Sequence, residues 1–151
     1  MTLTQKEHSL LNDLKGAEEL CIEKYTRYAS DAKDPQLKEL FNSIKTTEQS
    51  HLQSINKMIN GEEVKLNTPP TAVSEMPSIT PSSMSQSDKS ADAFLCKDAL
   101  SMEKHVSSVY DISVFEFKSP TLRDSLAGIQ KEEQNHGEKL YAYMAANGMY
   151  S

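Results

Sequence analysis

Residues 48–51 read EQSH and residues 133–136 read EQNH, and both lie in stretches whose apolar residues recur every three or four positions. Residues three or four apart on a helix share one face. From Glu48 and His51 such steps reach Phe41, Ile44 and Ile55, and from Glu133 and His136 they reach Ile129 and Leu140. Each copy therefore aims a carboxylate and an imidazole into the apolar side of its helix. Few folds tolerate that without a partner for the charge.

The likeness extends well beyond the tetrapeptides. An offset of 85 carries Asp13 onto Asp98, Glu18 onto Glu103, Tyr25 onto Tyr110, Lys33 onto Lys118, Pro35 onto Pro120, Leu37 onto Leu122, Ile44 onto Ile129, and Glu48, Gln49 and His51 onto Glu133, Gln134 and His136, without a gap. Acidic residues make up 22 of 151 positions, so a single carboxylate match is cheap by chance; the whole set at one offset is not.

Periodicity supplies the elements. Leu11, Leu14, Cys21, Ile22, Tyr25, Tyr28 and Ala29 mark one amphipathic helix ending near Ala32, with TQKE at residues 4–7 as a capping box at its start. Asp34-Pro35 opens a second, since Asp is a good N-cap and proline's fixed φ suits a first turn. It runs through Leu37, Leu40, Phe41, Ile44, Leu52, Ile55, Met58 and Ile59 to the stop signal Asn60-Gly61. Residues 4–60 thus form a helical hairpin. Residues 91–147 repeat the design, with Ser119-Pro120 as the second start and Asn147-Gly148 as the stop.

Between the hairpins, residues 61–90 are crowded with Pro, Ser and Thr and lack sustained periodicity, so they are expected to form an extended crossover within one domain, residues 1–151. A helix of about 25 residues is roughly 38 Å long, a span that such a segment covers easily.

Glu18 lies on the stripe of Leu11, Leu14, Cys21 and Tyr25, and Glu103 on that of Ala99, Val106 and Tyr110. Four carboxylates and two imidazoles are therefore expected in one core, where they must be protonated, paired or bound to metal. No Lys or Arg shares these stripes, which leaves metal as the least costly explanation. His8 and His105 fall outside the repeated pattern and are expected at the surface, while Cys21 is expected in the core one turn from Glu18.

The net charge of −6 and pI near 5.2 argue against a nucleic-acid partner, which would require clustered Lys and Arg. No apolar run approaches a membrane span, and the N-terminus lacks a basic-then-apolar signal, so a soluble chain without membrane contact is expected. Two cysteines are too few for a disulfide framework or a four-thiolate metal site.

One Glu from each of two helices plus Glu-x-x-His from each of the other two resembles the ferritin-like dimetal carboxylate superfamily. The resemblance implies an all-α, ferritin-like antiparallel four-helix bundle made of two helical hairpins joined by a long crossover. It implies two metal ions held by Glu18, Glu48, His51, Glu103, Glu133 and His136. Glu48 and Glu133 would bridge, and Glu18 and Glu103 would each serve mainly one metal. Tyr25, seven residues after Glu18, occupies a position where family members often place a tyrosine near the metals, and is the candidate catalytic residue. Oxygen and imidazole donors suit iron foremost, then manganese or zinc.

The stretches LTQKEHSLLNDLKGAEELCIEKYTRYASDAKDPQLKEL and YMAANGMY are similar to the coat-F group of spore coat proteins. That likeness implies a location in the spore coat, with the cytoplasm as the alternative, and a second copy of the chain or other coat proteins as contacts. The functions implied are a ferroxidase or peroxide- or oxygen-linked redox protein with O2 or peroxide as substrate, or a structural coat component whose metal site is stabilising or vestigial. The chain departs from rubrerythrins, lacking their four-cysteine iron site and carrying Val106 where they have an extra Glu.

Overall fold

A computed structural model of the chain describes residues 1–66 and 78–150. They form four helices, α1 (Gln5–Asp31), α2 (Pro35–Ile59), α3 (Gln86–Glu116) and α4 (Pro120–Ala146). Local chemistry sets each start. Thr4 and Glu7 make a reciprocal capping box: the Thr4 hydroxyl accepts the Glu7 N–H at 3.2 Å and the Glu7 carboxylate accepts the Thr4 N–H at 2.7 Å. Asp34, Ser85 and Ser119 cap the other three helices, and Pro35 and Pro120 fill the first helical position. After α2 and α4 the chain turns at Gly61 and Gly148, whose φ values of +81° and +64° suit a residue without Cβ.

The expected crossover ended at residue 90, but α3 starts at Gln86. Its first turn is capped by Ser85, which accepts the Asp88 N–H at 3.1 Å, and its residues face mostly solvent. A helical turn with no apolar face carries no period to detect. Residues 67–77 of the expected crossover lie outside the described residues.

α1 packs on α2 and α3 on α4, and the hairpins meet through α1 with α3 and α2 with α4. α1 and α3 run antiparallel, because each begins where the other ends. Glu7 accepts the Lys118 N–H at 2.9 Å, and Asp92 accepts the N–H groups of Lys33 and Asp34 at 2.8 and 3.0 Å. The backbone of Thr80 exchanges two hydrogen bonds with the Gln36 side chain at the start of α2, the end of the bundle opposite Gly61. A single apolar core runs through all four helices, with Tyr25, Tyr110, Tyr143, Phe41, Leu122 and Leu126 among its fully buried side chains. No helix among the described residues is long and apolar enough to cross a membrane.

Candidate metal centre

The apolar stripes that bury Leu11, Ile44, Ala99 and Ile129 also bury one set of acids, because helix periodicity puts both on the same face. Glu18 of α1, Glu48 and His51 of α2, Glu103 of α3, and Glu133 and His136 of α4 are all at most 3% exposed. The fold thus gathers all six expected residues in one place.

They converge on two overlapping points. Glu18, Glu48, His51 and Glu133 offer ligand atoms within 4.8 Å of one another, as do Glu48, Glu103, Glu133 and His136, so each group can hold a metal ion and Glu48 and Glu133 belong to both. His51 Nδ1 lies 2.9 Å from Glu133, 3.2 Å from Glu48 and 3.6 Å from Glu18. His136 Nδ1 lies 2.9 Å from Glu48, 3.3 Å from Glu103 and 3.7 Å from Glu133. The imidazole rings are 6.0 Å apart between centroids.

Of these contacts, that of His51 Nδ1 with Glu48 is a hydrogen bond, but many of the facing atoms have none. Glu18 Oε2, Glu48 Oε1, Glu103 Oε2, both oxygens of Glu133 and Nδ1 of His136 are buried with no hydrogen-bond partner among the described residues. Buried polar atoms without partners are costly, and so many aimed at one another in a single core require a shared cation or shared protons. The donor set of carboxylate oxygen and imidazole nitrogen, with no thiolate, fits iron or manganese.

Among themselves the groups divide the available protons. Burial pushes the Glu18 carboxyl up to about 8, with Glu48 adding to the rise and His51 opposing it. Burial and the neighbouring Glu103 likewise raise Glu133 well above the carboxylate range. For Glu48, burial is outweighed by His136 and His51, which hold it well below that range. Burial would lower both imidazoles, but the facing carboxylates outweigh it and hold them well above theirs.

Two tyrosines close the site from the opposite hairpin. Tyr25 of α1 donates to Glu103 of α3 and Tyr110 of α3 donates to Glu18 of α1, each at 2.5 Å. Tyr25 is therefore bound to the site, but at the carboxylate of the other hairpin rather than at Glu18 of its own helix. Its ring packs edge-on against Tyr28, centroids 5.7 Å apart, and Tyr28 in turn donates to Asp98. Cys21 is buried, and burial together with the four carboxylates pushes its thiol far up, so it stays protonated.

Sequence reasoning missed Glu132, whose carboxylate meets Nε2 of His51. Next to Glu133 it points about 100° off the apolar stripe, so it resembled ordinary surface charge. It also missed Asp92, buried yet located just past a Ser-rich stretch. Its signal was available: the offset of 85 carries Glu7 onto Asp92 just as it carries Lys33 onto Lys118.

Residues 91–151 match the Coat F domain; this match includes the closing YMAANGMY and excludes the opening hairpin. Among solved structures, a two-domain protein from Anabaena variabilis containing DJ-1/ThiJ/PfpI-like and ferritin-like domains superposes with a TM-score of 0.71 at 16% identity. The superposition covers 95% of this chain and 37% of that one, so this chain spans well under half the length of that protein. No curated protein matches the chain. Four helices in two packed hairpins, together with this superposition, show a ferritin-like four-helix fold, and residues 91–151 are similar to the Coat F domain.

Proposed function

We propose that the chain is a dimetal-binding ferritin-like protein, with iron as the preferred metal, acting on dioxygen or peroxide as a ferroxidase or peroxide-linked redox protein of the spore coat. The observation that carries this reading is the set of unpartnered buried oxygens on Glu18, Glu48, Glu103 and Glu133, facing one another across two imidazoles. Glu18 and His51 would hold one ion, Glu103 and His136 the other, and Glu48 and Glu133 would bridge them. Two redox metal ions bound there supply one-electron chemistry towards an oxidant.

The residues around them do the rest. Four carboxylates would match much of the charge of two divalent ions, and each keeps at least one buried oxygen without a hydrogen bond that could turn to them. The aliphatic and aromatic side chains lining the core exclude water. Tyr25 keeps its hydroxyl proton, because burial and Glu103 raise its pKa well above the phenol range. A protonated phenol 2.5 Å from a ligand carboxylate is placed to steady that carboxylate and to donate a hydrogen atom to a one-electron oxidant at the site. The Coat F match supports a location in the spore coat.

The same match favours a second reading, a structural coat component in which bound metal stabilises the bundle. Steady-state assays separate the two. A redox protein loaded with iron oxidises ferrous ion or consumes peroxide over many turnovers, and Tyr25→Phe slows it. A structural site gives no turnover and loses thermal stability on chelation.

A further inference from the structure

The offset that equates the two hairpins fails at one place touching the centre. Glu132 of α4 reaches across to Nε2 of His51 on α2, whereas the position offset from it by 85 is Thr47, whose short hydroxyl offers His136 no carboxylate. The carboxylates that His136 meets, Glu48, Glu103 and Glu133, all lie at its Nδ1, and among the described residues none lies at its Nε2.

We infer that Glu132 is a positioning residue for His51, and that for want of a counterpart at His136 it makes the two metal positions unequal, the one served by Glu18 and His51 being the tighter. The inference rests on the dimetal reading. A carboxylate only accepts hydrogen bonds, so Nε2 is the nitrogen that would keep its proton when a cation binds, and Nδ1, which faces Glu18, Glu48 and Glu133, is the one that would turn its lone pair to the ion. The contact also pins the ring about its Cβ–Cγ bond and makes Nδ1 a stronger donor to a cation. Such outer partners of a metal-binding histidine change affinity by roughly 10–100-fold. His136 has its Nδ1 in an equivalent place but lacks that restraint. The Glu132 side chain is 34% exposed, so replacing it opens no cavity in the core.

The test is a titration of the full-length, metal-free protein with cobaltous ion, following heat and the cobalt d–d spectrum together. The wild type is expected to bind two ions in separate steps. Glu132→Ala should weaken the first step roughly 10–100-fold, alter the spectrum of the first ion and leave the second step unchanged. Glu132→Gln keeps an acceptor oxygen and should recover most of the lost affinity. Two equal steps in the wild type, unaltered binding in Glu132→Ala, equal weakening of both steps, or a Gln variant as weak as the Ala variant would each overturn the inference. A wild type that binds no cobalt overturns the dimetal reading itself, an outcome distinct from the other four.

Discussion

The hydroxyl of Tyr25 on α1 donates to the carboxylate of Glu103 on α3 at 2.5 Å, so a residue of one hairpin completes the acid cluster of the other. Tyr110 and Glu18 form the reverse pair at the same distance. The centre and the packing of α1 on α3 are thereby one structure. Tyr25→Phe or Tyr110→Phe strips a fully buried carboxylate oxygen of its donor, at an expected cost of about 1–3 kcal/mol. In a chain of this size that lowers Tm by several degrees, readable by thermal denaturation of the metal-free protein. The double variant should depart from the simple sum, since both pairs feed one acid cluster that shares Glu48 and Glu133.

Asp92 ties the start of α3 to the turn between α1 and α2 through two backbone N–H groups. Asp92→Ala should destabilise by roughly 1–3 kcal/mol, mainly from the buried Asp34 N–H left unpaired, since the Lys33 N–H is only partly buried and can turn to water. Asp92→Asn, which keeps one acceptor oxygen, should cost less. Chemical denaturation of both variants checks the order.

Glu7 does the same for the turn between α3 and α4, and its titration gives stability a pH dependence. Burial tends to raise its pKa, but the N–H groups of Lys118 and Thr4 outweigh this and lower it below the ordinary 4.5. A depressed folded-state pKa stabilises the fold above the unfolded value, and that stabilisation is lost as pH falls through the folded value. Stability should therefore decline below about pH 4.5, and Glu7→Gln should flatten the part of that decline due to this group. Melting curves of both proteins between about pH 3 and 6 make the comparison.

Both thiols should be inert in the native state. Cys21 and Cys96 are fully buried, and burial with the charge of Asp92 pushes the Cys96 thiol up to about 12, so neither presents a thiolate at neutral pH. An alkylating reagent should leave both unmodified in the folded protein and modify both in denaturant, as read by intact mass. Fast native alkylation of Cys21 would contradict the closed site.

What the sequence disclosed was what helix geometry determines locally. Caps at Thr4, Asp34 and Ser119, glycine stops at Gly61 and Gly148, and an apolar period of three and four specify four helices before any contact is known. Six ligand candidates stood out because acids on an apolar stripe are an anomaly that demands an explanation. Contacts decided by how one hairpin rotates against the other stayed hidden. Tyr25 meets Glu103 rather than Glu18, and Glu132 meets His51, because of the angle at which helices cross, which no spacing along one chain records. The first turn of α3 escaped notice for a different reason: its residues are polar and largely exposed, so Gln86–Ser90 look like the connection they follow.

The central claim is that the six residues hold two metal ions. Elemental analysis of the protein after anaerobic loading with ferrous iron, beside a Glu48→Gln/Glu133→Gln variant checked for helicity by circular dichroism, tests it most directly. About two iron ions per chain are expected, one for each ligand group, with at least a tenfold loss of affinity in the folded variant. A wild-type protein that retains neither iron nor manganese, or a folded variant that keeps both ions with unchanged affinity, would contradict it.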